Sequence, residues 1–469
     1  MRRPGPENFA RLVLAAQRRS PGDAALVWDG GALTGEELRG RAGGVARALA
    51  ARGVKPGDRI ALELPNGWRF VAALLGGLGL GATVTPLNPM LTPGERERIL
   101  ADLRPAAIVD DVTPEAVAWE PVAEPAAPAL ILYTSGSTGR PKGSVISHAA
   151  LAFANRSWGG DVTGLVAGDI VLAVLPLSHS FGLNGALLAP LLAGVGVALV
   201  ERFSPEAALA AIAAHRVTVF PGVATMFRRI LDSPALPGAD VSTLRLALSG
   251  AAPCPWEIAE EWRRRTGVRI LRGYGSTELF RPISDLAGDP RDRPDAIGRA
   301  VPGVELRVVD DDGEAVPAGE VGELLIRTPA VTDGYLEQPD ETRAVLADGW
   351  FRTGDLATLS ADGLVSIVGR KKELILRGGY SVVPGEVEAA LATHPAVAEA
   401  AVIGVPHGEL GEEVAAFVAL RPGARAGADE LIRHCKDRLA GYKYPRRVTI
   451  VAELPRGATG KVLKWRLGP

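Results

Sequence analysis

The chain of 469 residues carries 52 Lys and Arg against 54 Asp and Glu, a formal net charge of -2, with 47% hydrophobic and 23% charged residues. Its length exceeds one ordinary core, so two or more domains are expected, and the balanced charge excludes a bulk binder of nucleic acid or anionic membrane. Two distant cysteines, Cys254 and Cys435, and six histidines with no HExxH exclude a disulfide framework and a zinc site, and point to a reducing compartment.

The opening MRRPGPENFA lacks the apolar stretch of a signal peptide, and the apolar runs at 71–86 and 187–200 are broken by Gly and too short to span a bilayer. A cytoplasmic enzyme is the expectation. From 24 to 88 the pattern alternates: a strand ALVW, a helix opening at Thr34 with Glu37 as capping-box partner, a strand IALEL, an apolar helix and a strand ATVTPL. Another helix should start after Thr92, with Pro93 in its first turn, and stop before Pro105. Residues 112–128, rich in Ala, Pro and acids, read as a surface connection into a strand at 129–132.

Alternation continues with strands at 170–175, 195–200, 217–220, 244–249 and 268–272. Helices fall after Phe181, over 205–215, up to 231 and up to 266. This pattern predicts parallel strands with crossover helices, in which ligands gather at the carboxyl ends of the strands. Near Ala296 the texture turns to hairpins, with Asp311, Asp312 and Gly313 at a turn, predicting a smaller antiparallel subdomain. After Gly369 come a charged cluster, a strand, a Gly-Gly turn and a helix begun at Pro384, and the remaining tail is long enough for a small domain.

Five stretches carry candidate chemistry. In YTSGSTGRPKGS (133–144), Gly136, Gly139 and Gly143 permit close backbone approach, Thr134, Ser135, Ser137 and Thr138 supply hydroxyls, and Lys142 adds a cation. It is either a solvated loop or a polyphosphate cradle, and it lacks the GxxxxGK[ST] spacing of a Walker A loop. In GYGSTE, Gly273 and Gly275 would let the backbone approach a planar base, Tyr274 could stack on it, Thr277 could donate to a phosphate and Glu278 could hold Mg2+. Alternatively, the stretch is a strand end and a turn with an exposed acid. FRTGD places Asp355 on an expected turn, either accepting from two ribose hydroxyls or closing a cap or Asx turn. GRKKELILRGG and LPRGATGK complete the set.

Taken together and in this order, the five stretches resemble the adenylate-forming superfamily of acyl-CoA synthetases, adenylation domains and luciferases, over about nine-tenths of the chain. The resemblance implies an α/β fold: a large N-terminal domain (1–371) of layered parallel sheets with helices and a β-rich subdomain, and a small mobile α+β C-terminal domain (372–469). It implies ATP, Mg2+ and coenzyme A as cofactors, a carboxylic acid as substrate and two half-reactions through an acyl-AMP. By this resemblance Lys461 is the catalytic cation on a mobile loop, Asp355 and Arg370 face the nucleotide, and Lys372 is the hinge, although many relatives have Asp there. Gly378 and Gly379 line the pantetheine path or form a plain hairpin turn. His179 and Phe181 gate the acyl pocket, and Asn184, Gly222, Val223, Gly250, Ala251 and Ala252 line acyl or adenine pockets. Arg281 departs from the small or apolar residues expected there and reads either as a partner for a polar substrate group or as a surface salt bridge. The alternatives to a CoA ligase are an enzyme passing its acyl group to a separate carrier protein or another nucleophile, a phosphotransferase releasing ADP, and an idle nucleotide-binding module.

Overall fold

A computed structural model describes residues 7–17, 23–112, 115–123, 125, 127–135, 141–456 and 462–468. The chain forms two compact units, one made of Met1–Glu305 with Ile326–Phe351, the other of Leu306–Leu325 with Arg352–Pro469.

Local signals set the helix ends of the first unit. Thr34 and Glu37 exchange capping bonds ahead of the helix Gly35–Ala51, with the Glu37 amide donating to Thr34 Oγ1 at 3.2 Å and the Thr34 amide to Glu37 Oε2 at 2.8 Å. Thr92 and Glu95 do the same for Pro93–Leu103, which stops at Arg104 because a following proline disfavours the helical conformation. Two sheets result. One runs, in spatial order, Ile270–Leu271, Leu246–Ser249, Val219–Gly222, Ile170–Ala173, Gly196–Leu199, Ala24–Trp28 and Gly31–Thr34, and only its last pairing is antiparallel. The other orders Gly334–Tyr335, Pro141–Ile146, Leu130–Ser135, Thr83–Pro86, Arg59–Leu62 and Ala107–Val109.

Behind the first sheet, Phe220, Phe227 and Trp262 are fully buried, with ring centroids 5.0–6.1 Å apart. They fix the strand Val219–Gly222 against the helices Ala224–Asp232 and Trp256–Thr266. The helix expected after Phe181 is a π-helix over Gly182–Leu188 before it becomes α-helical at Ala189–Ala193. Within it Gly185 lets the Trp158 ring pack against the backbone, since a Cβ there would lie 2.4 Å from that ring.

The strands Glu305–Val309, Val321–Arg327, Trp350–Leu359 and Leu364–Arg370 follow one another in that spatial order, the last two antiparallel, as the hairpin texture predicts. Gly313, at φ +87°, sits in the expected Asp-rich turn. A further sheet of Tyr380–Val382, Ile375–Arg377, Gly411–Leu420 and Val397–His407, with Arg447–Val451 on Gly411–Leu420, packs on the helices Pro384–Ala392 and Ala428–Lys436. Layered sheets with parallel strands and a separate α+β tail match the expected fold class. Among the described residues no helix is long and apolar enough to cross a membrane, and Cys254 and Cys435 are free thiols.

Candidate active site

The 133–144 stretch is not one long loop. Leu130–Ser135 and Pro141–Ile146 pair as antiparallel strands, Thr134 opposite Lys142 and Ser135 opposite Pro141. Gly136, Ser137, Thr138 and Gly139 lie outside the described residues. A helix start does not follow directly, since Ser147 caps the helix His148–Ser157 only after the second strand ends. The strand before this stretch and the helix from 148 are where the sequence places them; the strand 141–146 between them was not expected, because its pairing depends on an antiparallel partner.

That pairing gives Lys142 a fixed direction. Its side chain is 17% exposed, its ammonium is ion-paired with Glu341 and lies 5.3 Å from the centroid of the Tyr335 ring. The Tyr335 hydroxyl donates to Glu278 Oε1 at 2.9 Å. Burial and the Glu278 charge push that phenol far above its ordinary range, so it stays protonated and donating. The Thr332 amide donates to the Glu278 carbonyl at 2.8 Å, and Ser144 Oγ lies 2.9 Å from Thr332 Oγ1. One segment, 332–341, therefore joins the strand of Lys142 to the turn of Thr277 and Glu278. Both turn residues are half-buried rather than exposed. Nothing in the sequence reading singled out Thr332, Tyr335 or Glu341. The available signal was a Gly-Tyr pair followed by Pro339 with acids in the first helical turn.

Glu278 could share a divalent cation. No group of three or more His, Cys, Asp or Glu that could hold a metal exists among the described residues. Mg2+ needs no such cage, binding through one or two carboxylates plus phosphate oxygens, and Glu278 fits that requirement.

The parallel strands end beside this cluster's own hairpin. Gly222 stands opposite Ser249, and Val223, Gly250 and Gly273 each follow directly on a strand end or its extension. A Cβ on Gly250 would lie 3.1 Å from Phe181 Cζ and 3.2 Å from Arg281 Nη1, so these side chains converge there. Ala251 holds φ +63° and, with Ala252, is exposed. A left-handed alanine is strained by about 1–2 kcal/mol, which marks this turn as one imposed by its surroundings. His179 Nδ1 accepts from the Phe181 amide at 3.2 Å, and burial pushes its pKa down, keeping the imidazole neutral. Asn184 is 4% exposed, donating to the Ser180 carbonyl and accepting from Asn155 Nδ2 at 2.9 Å, so its amide is engaged within the wall.

One expectation is corrected here, the surface salt bridge of Arg281. Gly273 and Gly275 make room for the chain itself: a Cβ on Gly275 would sit 1.7 Å from the Phe280 carbonyl, and one on Gly273 2.6 Å from Arg281 Cζ. Tyr274 pairs with Ile283 in the same hairpin. Arg281 forms no surface salt bridge. It is buried at 9% exposure, donating to Ser284 Oγ at 2.9 Å, the Ser249 carbonyl at 2.9 Å and the Leu271 carbonyl at 3.2 Å.

In the second unit, Asp355 lies mid-strand rather than on a turn. Gly354 at φ +67° bends the strand locally without ending it. Asp355 is 4% exposed and paired across the hairpin with Arg370, Nε to Oδ1 at 2.8 Å. The next residue, Lys371, bonds to Asp311 at 2.8 Å and to buried Glu323 at 3.3 Å, and Arg352 reaches Glu323 at 2.7 Å. Lys372 is exposed in the short turn Lys371–Glu373. Gly378 and Gly379, at φ +55° and +82°, are the two-residue turn of the hairpin Ile375–Arg377 and Tyr380–Val382. Lys461 lies outside the described residues.

Comparison with known proteins adds the family. Residues 13–336 match the AMP-binding enzyme family, and residues 386–461 match the AMP-binding enzyme C-terminal domain. The chain is 38% identical to a feruloyl-CoA synthase of Amycolatopsis sp, over 95% of this chain and 96% of that one. It is similar to ATP-bound MatB from Rhodopseudomonas palustris, with a TM-score of 0.89 at 32% identity over 97% of this chain and 98% of that one. An amide bond synthetase, McbA from Marinactinospora thermotolerans, matches with a TM-score of 0.89 at 30% identity over 98% of each chain. With both family domains present in order and near full-length relatives, the chain belongs to the AMP-binding enzymes of the adenylate-forming superfamily, as an AMP-forming ligase of the acyl-CoA synthetase type.

Proposed function

We propose that this protein ligates a carboxylic acid to coenzyme A at the expense of ATP. One observation carries the proposal: Lys142, Tyr335 and Glu278 form a linked cation, hydroxyl and carboxylate, with Glu278 in the turn of the hairpin that follows the parallel strand Ile270–Leu271. In the first half-reaction a carboxylate oxygen attacks the α-phosphorus of ATP, the bond to the bridging oxygen breaks and pyrophosphate leaves. In the second, the CoA thiolate attacks the acyl carbon and AMP departs.

Each residue has a task in this scheme. Lys142 exchanges Glu341 for phosphate oxygens, and Thr134, Ser135 and Thr277 donate to the polyphosphate. Gly136, Ser137, Thr138 and Gly139 belong to the same cradle by family resemblance. Glu278 is the protein ligand for Mg2+, which when bound neutralises phosphate charge. In the first unit Tyr274, Gly250, Ala251 and Ala252 are assigned to the base; in the second, by family resemblance, Asp355 with its partner Arg370 is assigned to the ribose. His179 and Phe181 bound the acyl pocket with Gly222 and Val223. Lys461 brings a positive charge to two mutually repelling anions, and rotation at Lys372, the boundary of a domain 372–469, exchanges it for the Gly378–Gly379 turn. Two free thiols support a cytoplasmic setting.

A panel of carboxylic acids, each incubated with ATP, with and without CoA, tests this. AMP and pyrophosphate with a CoA thioester is the expected outcome, and ADP would refute it. The likeness to an amide bond synthetase favours a second reading in which an amine or a carrier-protein thiol accepts the acyl group. Acid-dependent pyrophosphate exchange without thioester formation would select that reading.

A further inference from the structure

We propose that Glu341 is a built-in competitor for the nucleotide's phosphates, holding Lys142 before nucleotide binds and so weakening the grip on ATP and on departing pyrophosphate. The inference deepens the proposed function and rests on its assignment of Lys142 to the polyphosphate.

The contact between the two side chains is set by the backbone. Residues 333–336 run as an edge strand along the strand of Lys142: Gly334 pairs with Val145 and Tyr335 with Ser144, and the Asp333 and Leu336 amides donate to the Val145 and Gly143 carbonyls at 2.8 Å. The helix Pro339–Val345 is stapled to this strand by one side chain. Thr342 Oγ1 accepts from the Tyr335 amide at 2.9 Å and donates to the Gln338 carbonyl at 2.8 Å. Gly334, at φ +124°, leaves room for it, since a Cβ there would lie 2.5 Å from Thr342 Cγ2. Glu341, one residue before Thr342, is thereby held where it forms the ion pair with Lys142. The neighbouring acid, Asp340, is ion-paired with Arg343 instead.

The balance of charge gives this pair its consequence. The Lys142 side chain is largely withdrawn from water, and its ammonium meets the Glu341 carboxylate and the Tyr335 ring. A cation so placed needs a counter-charge whenever no phosphate is bound. An incoming phosphate carries the same sign of charge as Glu341, so the two repel each other at one ammonium. Glu341 is the group free to leave: its side chain is 48% exposed, and the helix that carries it buries none of its residues. An ion pair of this exposure favours the closed arrangement by up to roughly fivefold, and a ligand that requires the open one binds more weakly by the same factor. The same bias helps pyrophosphate depart, because Glu341 takes back the cation as the product leaves.

The test titrates magnesium pyrophosphate and the α,β-methylene analogue of ATP into the full chain by calorimetry, with no carboxylic acid added. Glu341→Gln should tighten both ligands by roughly fivefold, whereas Asp340→Asn, which removes the same charge from the same helix, should change neither. On a Lys142→Met background Glu341→Gln should have no effect, which identifies Lys142 as the group contested. A gain in affinity is a result that damage to the fold does not produce. Unchanged or weaker binding by Glu341→Gln overturns the proposal, and the weaker case would make Glu341 a positioning residue that orients Lys142 toward the phosphates. Equal tightening by Asp340→Asn overturns it as well, leaving only net charge at work. Lys142→Met binding both ligands as tightly as wild type would remove the assignment of Lys142, and the proposal with it. Binding of neither ligand by the wild type would instead remove the nucleotide reading of the whole site.

Discussion

Tyr335 acts through two parts of one side chain, its ring holding the Lys142 ammonium and its hydroxyl fixing the Glu278 carboxylate. Hydrogen bonds to a charged group contribute about 1.5–3 kcal/mol, so Tyr335→Phe should lower kcat/KM for ATP by roughly tenfold or more and raise the Mg2+ concentration needed for half-maximal pyrophosphate exchange. An unchanged Mg2+ dependence would show that the hydroxyl does not position Glu278. Lys142 and Glu278 were legible in the sequence because each sits in a short stretch whose residue types already declare charge and backbone access. Tyr335 was not, because its importance comes from where a distant segment crosses two strands. Arg281 was visible as an oddity in sequence, but its burial and its carbonyl partners depend on the hairpin Gly273–Ser276 with Phe280–Ser284.

Among the elements, the join between the helix Phe9–Gln17 and the helix His148–Ser157 is sensitive to acid. The Phe9 amide donates to His148 Nδ1 at 3.0 Å, and burial holds the His148 pKa down to about 4. Its ordinary value is near 6.5, so the folded protein binds fewer protons than the unfolded chain between those limits. The stabilisation is complete above about pH 6.5 and is lost progressively toward pH 4, by about 3 kcal/mol at most. His148→Asn keeps an acceptor for Phe9 without a titrating ring. Urea midpoints measured from pH 4 to 7 should fall more steeply for wild type than for this variant, and parallel curves would contradict the role. Residue patterns announced the capping box of Thr34 and the helix starts at Pro93 and Pro384, since caps and prolines act over a few residues. They did not announce the antiparallel pairing of Leu130–Ser135 with Pro141–Ile146, because strand direction is settled by a partner.

At the scale of the molecule, the proposed hinge lies between two anchored neighbours. Lys371 is held by Asp311 and Glu323, whereas Glu373 is held by Lys464, whose ammonium also meets Glu388 at 2.8 Å. Lys372→Pro, which fixes one backbone angle, should spare adenylation and slow thioester formation from supplied acyl-AMP. Lys461→Ala should do the reverse, cutting adenylation by roughly a hundredfold while sparing the second step. Pyrophosphate exchange and thioester formation, measured separately on both variants, check the pair, and equal losses in both halves would refute alternation. The sequence by itself determined which family the chain belongs to, that its strands alternate with helices, and which charged and glycine-rich stretches carry chemistry, because these are properties of neighbouring residues. Only the tertiary structure decided that Lys142 and Glu278 meet through Tyr335, that Asp355 meets Arg370 across a hairpin, and that Arg281 is buried. Pairing and burial arise between segments that are not neighbours in the chain, where local pattern has no hold.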